Sequence, residues 1–218
     1  MDTSTLALQP FHRGAEADLF LSTMSLWKVV IKRRIEKKYR HSSLDQQIRR
    51  DRTIGEASLL HEAKVTGARV PSLLGVDIDE NSIVMTYVSG NLVRDSLDEM
   101  KSSNTRKLFT ELGSQVGLLH AGGIVHGDLT TSNLIATPTG VPFILDFGMS
   151  RRSLEPEDRG VDLHLLQRSI ATSHTGDHLS DIRAVARGYA KAVGPEMARS
   201  TLRKAAEIAK RGRYFALR

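Results

Sequence analysis

Two short apolar runs in the second half of the chain, Ile124-Val125 and Phe143-Ile144-Leu145, each break off into a tight polar cluster. The first cluster is His126-Gly127-Asp128-Leu129-Thr130-Thr131-Ser132-Asn133, and the second is Asp146-Phe147-Gly148. A buried strand that ends in a polar loop holds the loop's side chains on a rigid support, which is how many folds carry function. Asp128 and Asn133 stand five apart, and Asp146 follows thirteen residues later. Three oxygen-bearing side chains so placed can converge on a hard cation such as Mg²⁺. That ion takes a few carboxylate or amide oxygens and leaves its other positions to phosphate and water. A remaining carboxylate can accept the hydroxyl proton of an acceptor. Either string alone is an ordinary turn. Both together, in this order and each behind an apolar strand, point to chemistry.

The pattern around these clusters predicts an α+β chain in two lobes. Leu26-Trp27-Lys28-Val29-Val30-Ile31-Lys32 is aromatic and β-branched, as a half-buried strand requires, and Ile83 to Val88 reads the same way. Between them Ser43 and Gln46 form a capping-box pattern, Ala57, Leu60 and Ala63 continue an apolar stripe, and Gly67 with Pro71 marks the helix end. Ser89-Gly90-Asn91 is the break between a β-rich front (1–88) and a helical back (92–218), with 89–91 as hinge. In the back half Leu108, Leu112, Val116 and Leu119 keep helical spacing until Gly122-Gly123. From about Val161 the pattern is helical, divided at Gly194-Pro195.

Composition removes other classes. The chain has 218 residues, 40% of them hydrophobic and no cysteine, so it can bury a core without disulfides, thiolate zinc or a cysteine nucleophile. No apolar run reaches membrane-spanning length and Met1 to Pro10 lacks the form of a signal peptide, so the expectation is an intracellular chain free of membrane. The net charge is +6 and the pI near 9.7, a modest bias toward polyanionic partners. Two runs concentrate it. Lys28, Lys32, Arg33, Arg34, Lys37, Lys38 and Arg40 are answered only by Glu36, while Arg203, Lys204, Lys210, Arg211, Arg213 and Arg218 are answered only by Glu207.

The polar clusters resemble the H-R-D-L-x-x-x-N and D-F-G signatures of protein kinases and related phosphotransferases. Val29-Val30-Ile31-Lys32 is similar to the V-A-I-K strand, with Glu56 placed like the helical glutamate that holds the lysine and Glu62 as its rival. No G-x-G-x-x-G is present; Arg13-Gly14-Ala15-Glu16-Ala17-Asp18 stands in its place. The Gly-Ala-Glu-Ala turn, Lys38-Tyr39-Arg40-His41 leading to Leu44-Asp45, Arg52-Thr53 before Glu56-Ala57, and the His126 to Asn133 string resemble one family of small kinases from Gly14 to Arg213. That family is Bud32, or p53-related protein kinase, of the KEOPS (EKC) complex.

The resemblance implies an atypical bilobal serine/threonine kinase and ATPase that takes ATP and Mg²⁺ between its lobes and supports N6-threonylcarbamoyladenosine (t6A) formation on tRNA. It implies that Lys32 contacts phosphate, Glu56 orients Lys32, Asp128 is the catalytic carboxylate, and Asn133 with Asp146 binds metal. Gly14, Ala15 and Glu16 would cover the phosphates. Val30 and Ile135 would line the adenine pocket, with Met85 as gatekeeper and Thr86 to Val88 as the stretch holding adenine through backbone groups. Thr130 stands where protein kinases carry a lysine, and Glu155-Pro156-Glu157 begins too soon after Gly148 for a full activation segment. Asp162 is expected to brace the catalytic loop, with a plain helix N-terminal acid as the alternative. The implied partners are a Kae1-like subunit on the C-lobe and tail, a Cgi121-like subunit on the N-lobe, and tRNA through the complex. Arg203, Lys204, Lys210, Arg211 and Arg213, with the Lys28 to Arg40 cluster, are expected to contact tRNA, in cytoplasm and nucleus. The rivals are a small-molecule kinase of the aminoglycoside or choline type, which also uses H-G-D, and a kinase-like scaffold without turnover.

Overall fold

A computed structural model describes residues 8–173 and 176–215, with side chains of the last helix as far as Arg211. The chain forms two compact units. One runs to Glu62 and resumes over Pro71–Tyr87; the other comprises Ala63–Val70 and the chain from Val88 onward.

The first unit is an antiparallel five-stranded sheet with one long helix. Strands β1 (Gln9–Arg13), β2 (Ala17–Met24), β3 (Trp27–Arg34), β4 (Leu73–Asp77) and β5 (Ser82–Thr86) lie in the order β1-β2-β3-β5-β4. β3 is central, and its period of two decides what each face carries. Val29 and Ile31 are fully buried with Val84, against Phe20 and Met24. Val30, Lys32 and Arg34 occupy the alternate positions, so one face of the strand carries two buried cations.

Helix α1 (Ser42–Val65) follows, and it starts differently from the expected cap. The His41 carbonyl accepts the Asp45 amide at 2.9 Å, which places Ser43 inside the first turn. The Ser43 hydroxyl meets His41 Nδ1, while Gln46 Oε1 accepts from Arg49 and Asn81. The capping box does not form, because Gln46 is drawn forward to a cation and an amide. Gly67 ends the helical stretch as expected, its amide donating to the Lys64 carbonyl.

The second unit runs β6 (Asn91–Leu92), α2 (Val93–Ser96), α3 (Ser102–Ala121), β7 (Ile124–Val125), β8 (Leu134–Ala136), β9 (Pro142–Ile144), β10 (Arg151–Arg152), α4 (Pro156–Ser173), α5 (His178–Val193) and α6 (Pro195–Phe215). Leu108, Leu112, Val116 and Leu119 on α3 are buried with Leu163, Leu166 and Ile170 of α4 and Val185 and Tyr189 of α5. α3 and α5 pack backbone to backbone: a Cβ on Gly113 would strike the Val185 carbonyl, and one on Gly188 the Thr110 carbonyl. Helix α4 begins at Pro156, earlier than the expected 161, since proline suits a first helical position whose N–H has no partner anyway. No helix among the described residues is long and apolar enough to cross a membrane.

Two small sheets present the polar clusters. β8 lies between β6 and β9, and β10 pairs with β7 in the register Arg151 with Val125. Ser153 closes the same turn by donating its amide to the Gly123 carbonyl. Seven residues separate Gly148 from Pro156, and the chain uses them to return onto β7. That length is too short for a full activation segment.

Candidate active site

In the first unit the site is built on β3 and α1. Lys32 Nζ donates to Glu56 Oε1 at 2.7 Å, and Arg34 Nη2 donates to Glu56 Oε2 at 2.5 Å. All three residues are buried. A carboxylate out of water is costly unless each oxygen is answered, and here each has its own cation. Of the two glutamates weighed as partners of Lys32, Glu56 makes the pair; Glu62 accepts from the Ser58 hydroxyl instead.

Arg34 is a residue that sequence reasoning missed. The run Lys32-Arg33-Arg34 reads as surface charge, although the position of Arg34 two residues after Lys32 puts both on one strand face. Arg34→Met leaves Oε2 of Glu56 without its charged partner and lowers stability by about 3 kcal/mol, and Arg34→Lys recovers part of it. Denaturant unfolding of the three proteins measures both effects.

The Lys28 to Arg40 cluster is therefore not one continuous solvated basic face. Lys32 and Arg34 are turned inward to Glu56, Arg33 pairs with Glu80 at 3.5 Å, Arg40 pairs with Asp45, and Lys37 reaches the Ala15 carbonyl. Of its cations only Lys28 and Lys38 are exposed.

Lys37 also helps fix the turn that replaces a glycine-rich loop. Gly14 donates to the Ala17 carbonyl at 3.1 Å, and Ile35 donates to the Glu16 carbonyl. The Glu16 side chain accepts from Arg52 of α1 at 2.8 Å, so this carboxylate is engaged within the protein. A Cβ on Gly14 would press on the Ala17 carbonyl, so the turn itself demands glycine. Val30 pairs with Met85 across β3 and β5, both half-buried. The amides of Thr86 and Tyr87 are spent on the Ser72 and Lys28 carbonyls, which leaves that of Val88 as the one in this stretch without an internal partner among the described residues.

In the second unit the two polar clusters are stitched together. The Asn133 carbonyl accepts the Leu145 amide at 2.9 Å, and the Leu145 carbonyl faces His126 Nε2 at 2.8 Å. Asn133 Nδ2 donates to both the carbonyl and Oδ2 of Asp128, each at 2.9 Å. That leaves Asn133 Oδ1 as an acceptor with no partner among the described residues. Asp128 and Asp146 are exposed. Asp146 has φ +59°, a conformation that a non-glycine residue adopts at a cost, and the Gly148 amide donates to its Oδ1 at 3.0 Å. Ile135 is half-buried on β8.

Gly127 explains why this loop reads H-G-D rather than H-R-D. Its φ is +80°, and a Cβ there would run into the Met149 carbonyl.

Asp162 braces the loop from α4. Its Oδ2 accepts the His126 amide at 2.5 Å and its Oδ1 the Gly127 amide at 2.8 Å. It also meets His120 Nε2 at 3.2 Å, His120 Nδ1 meets the Tyr189 hydroxyl at 3.0 Å, and Tyr189 reaches Thr201 at 3.3 Å. Burial works to raise the Asp162 pKa; the hydrogen bond and charge of His120, then His126, outweigh it and hold the carboxyl below its ordinary value. Burial pushes the Tyr189 hydroxyl up. His120, Tyr189 and Thr201 were also missed. A histidine directly after Leu119 on an apolar helix stripe was the available signal.

The tail is helix α6, packed on α4. Lys204 pairs with Glu157 and Glu207, and Arg211 with Glu157 at 2.6 Å; Arg203 lies 3.9 Å from Glu207. The Arg211 hydrogen bond, ahead of Lys204, holds the Glu157 carboxyl below the ordinary range. Lys210 is exposed, and the Arg213 side chain lies outside the described residues.

The set offers a metal only a few oxygens. Among the described residues no group of three or more His, Asp or Glu side chains gathers as a metal site. An amide oxygen and a carboxylate on adjoining loops fit a magnesium ion whose other ligands come with phosphate and water, not a protein cage.

The RIO domain family matches residues 20–170. Over 93% of its length the chain is 40% identical to the KEOPS complex subunit Bud32 of Pyrococcus abyssi, covering 94% of that protein. It is 38% identical over 168 residues to the EKC/KEOPS complex subunit bud32 of Dictyostelium discoideum, covering 67% of it. A probable bifunctional tRNA threonylcarbamoyladenosine biosynthesis protein of Methanothermobacter thermautotrophicus is 39% identical, and there the chain spans 36% of the longer relative. The chain belongs to the RIO-domain family and, within it, to the Bud32 family.

Proposed function

We propose that this chain is an atypical kinase and ATPase that works as a KEOPS subunit in threonylcarbamoyladenosine modification of tRNA. The strongest support is that end-to-end similarity to a KEOPS subunit coincides with a complete set of phosphoryl-transfer groups: the Lys32–Glu56 pair and the joined Asp128 and Asn133 with Asp146. The scaffold alternative has no use for such a set.

The groups divide by chemistry. Lys32, kept in place by Glu56, serves the α- and β-phosphates, and Arg34 keeps Glu56 in place. Asn133 Oδ1 and Asp146 would hold a divalent ion, which when bound would supply positive charge beside the phosphates. Asp128 accepts the proton of the attacking hydroxyl or water, its carboxylate oriented by Asn133. Gly14 to Glu16 cover the phosphates, and Val30, Met85, the Val88 amide and Ile135 receive adenine. The short return of 149–155 onto β7 favours hydrolysis, or transfer within a fixed complex, over broad peptide recognition. A Kae1-like subunit on the second unit and tail, and a Cgi121-like subunit on the first, are its expected partners.

Titration of the purified chain with ATP and Mg²⁺ gives a saturable heat and steady ATP turnover, and EDTA removes the turnover. Affinity capture from native cells recovers a Kae1-like subunit and tRNA. Phosphorylation of aminoglycosides or choline by the purified chain, without such capture, would overturn the reading in favour of a small-molecule kinase.

A further inference from the structure

Helix α5 exposes four residues, Leu179, Arg183, Arg187 and Lys191, spaced four apart on one narrow stripe. Three of them are cations. None forms an ion pair with a described residue, and no exposed position of α5 is acidic. Asp181, the acid inside the helix, is buried. The opposite face packs on α3 through Val185, Gly188 and Tyr189, so this helix cannot turn an apolar side outward.

The other basic runs differ in part. In the front cluster and on α6, Lys32, Arg33, Arg34, Arg40, Lys204 and Arg211 are paired with Glu56, Glu80, Asp45, Glu157 and Glu207. Lys28, Lys38 and Lys210 are exposed without an ion pair to a described residue, but they are not gathered on one helix face. On α5, Arg183 with Arg187 and Arg187 with Lys191 are like charges one turn apart, an arrangement that weakens a helix. An unrelieved single-sign stripe is an electrostatic footprint for a polyanion. With an apolar side chain only at its end, Leu179, the stripe lacks the apolar centre of a protein interface and the free apolar face of a membrane-surface helix.

We propose that Arg183, Arg187 and Lys191 form a docking stripe for the phosphate backbone of RNA, separate from the α6 tail. The choice of RNA rests on the reading of this chain as part of a tRNA-modifying complex. The three cations span just over two helical turns, about 12 Å. They therefore contact neighbouring phosphates and read no sequence.

The test uses the full chain, an unmodified tRNA transcript, and the variant Arg183→Gln/Arg187→Gln/Lys191→Gln. Plotting log affinity against log [NaCl], the variant loses about 2 to 3 units of slope and at least roughly 30-fold in affinity at low salt. ATP turnover stays as in the parent, since none of the three belongs to the ATP site, and the melting temperature is equal or slightly higher, since two like-charge pairs are removed. An unchanged slope and affinity, absence of tRNA binding by the parent, or binding to anionic vesicles in place of tRNA overturns the stripe. Loss of ATP turnover by the parent, with the slope change intact, overturns the kinase reading alone.

Discussion

Asp128→Asn lowers ATP turnover by about a thousandfold while leaving nucleotide affinity within about twofold, because it removes a base without removing a phosphate ligand. The substitution is close to isosteric, and the geometry explains why the loop survives it. Asn133 Nδ2 donates to the Asp128 carbonyl and to Oδ2, and an asparagine still offers one side-chain oxygen to that donor. The His126 and Gly127 amides remain on Asp162. What disappears is the negative charge that takes the proton as the acceptor oxygen attacks. Turnover measured with saturating ATP and Mg²⁺, beside calorimetric binding of a non-hydrolysable ATP analogue, separates the two effects. Equal loss of binding and turnover would instead make Asp128 a metal or phosphate ligand. Full activity would remove it from the chemistry.

The clusters were legible in sequence because their order and their apolar approach runs are local features. The Lys32–Glu56 pair was legible through a motif, a lysine at a strand end followed by a helical glutamate. Arg34 was not, since a run such as Lys32-Arg33-Arg34 reads as surface charge until strand alternation is applied residue by residue. The same blind spot inflated the front basic cluster into a face. The α5 stripe went unseen for the opposite reason: Arg183, Arg187 and Lys191 are scattered among apolar residues, and only the helix gathers them. Strand β4 was missed because Leu73–Asp77 is short and carries a glycine. The early start of α4 was missed because Glu155-Pro156-Glu157 reads as the close of a shortened activation segment rather than as a helix start with proline in its first position.

Asp162→Asn is the most damaging conservative change expected away from the reacting groups. Each oxygen of Asp162 faces N–H donors: Oδ1 the Gly127 amide, Oδ2 the His126 amide and His120 Nε2. Asparagine has one acceptor oxygen and one NH₂, so either orientation sets its NH₂ against at least one donor in a site that is 1% exposed. Leaving buried donors unanswered costs about 3 kcal/mol, which lowers the melting temperature of a chain this size by roughly 10 °C. The loop that carries Asp128 loses its anchor as well, so turnover falls by about a hundredfold even below the melting point. The pH dependence tells whether charge or shape is responsible. Because the folded carboxyl lies below its ordinary value, its stabilisation is complete above the unfolded pKa of about 4 and fades as pH falls through the folded value. The stability gap between parent and variant is therefore flat from neutral pH down to about 4 and narrows below it. A gap unchanged across that acid window would assign the loss to the misplaced NH₂ group alone; a variant as stable and as active as the parent would mean that the His126 and Gly127 amides hold the loop without Asp162.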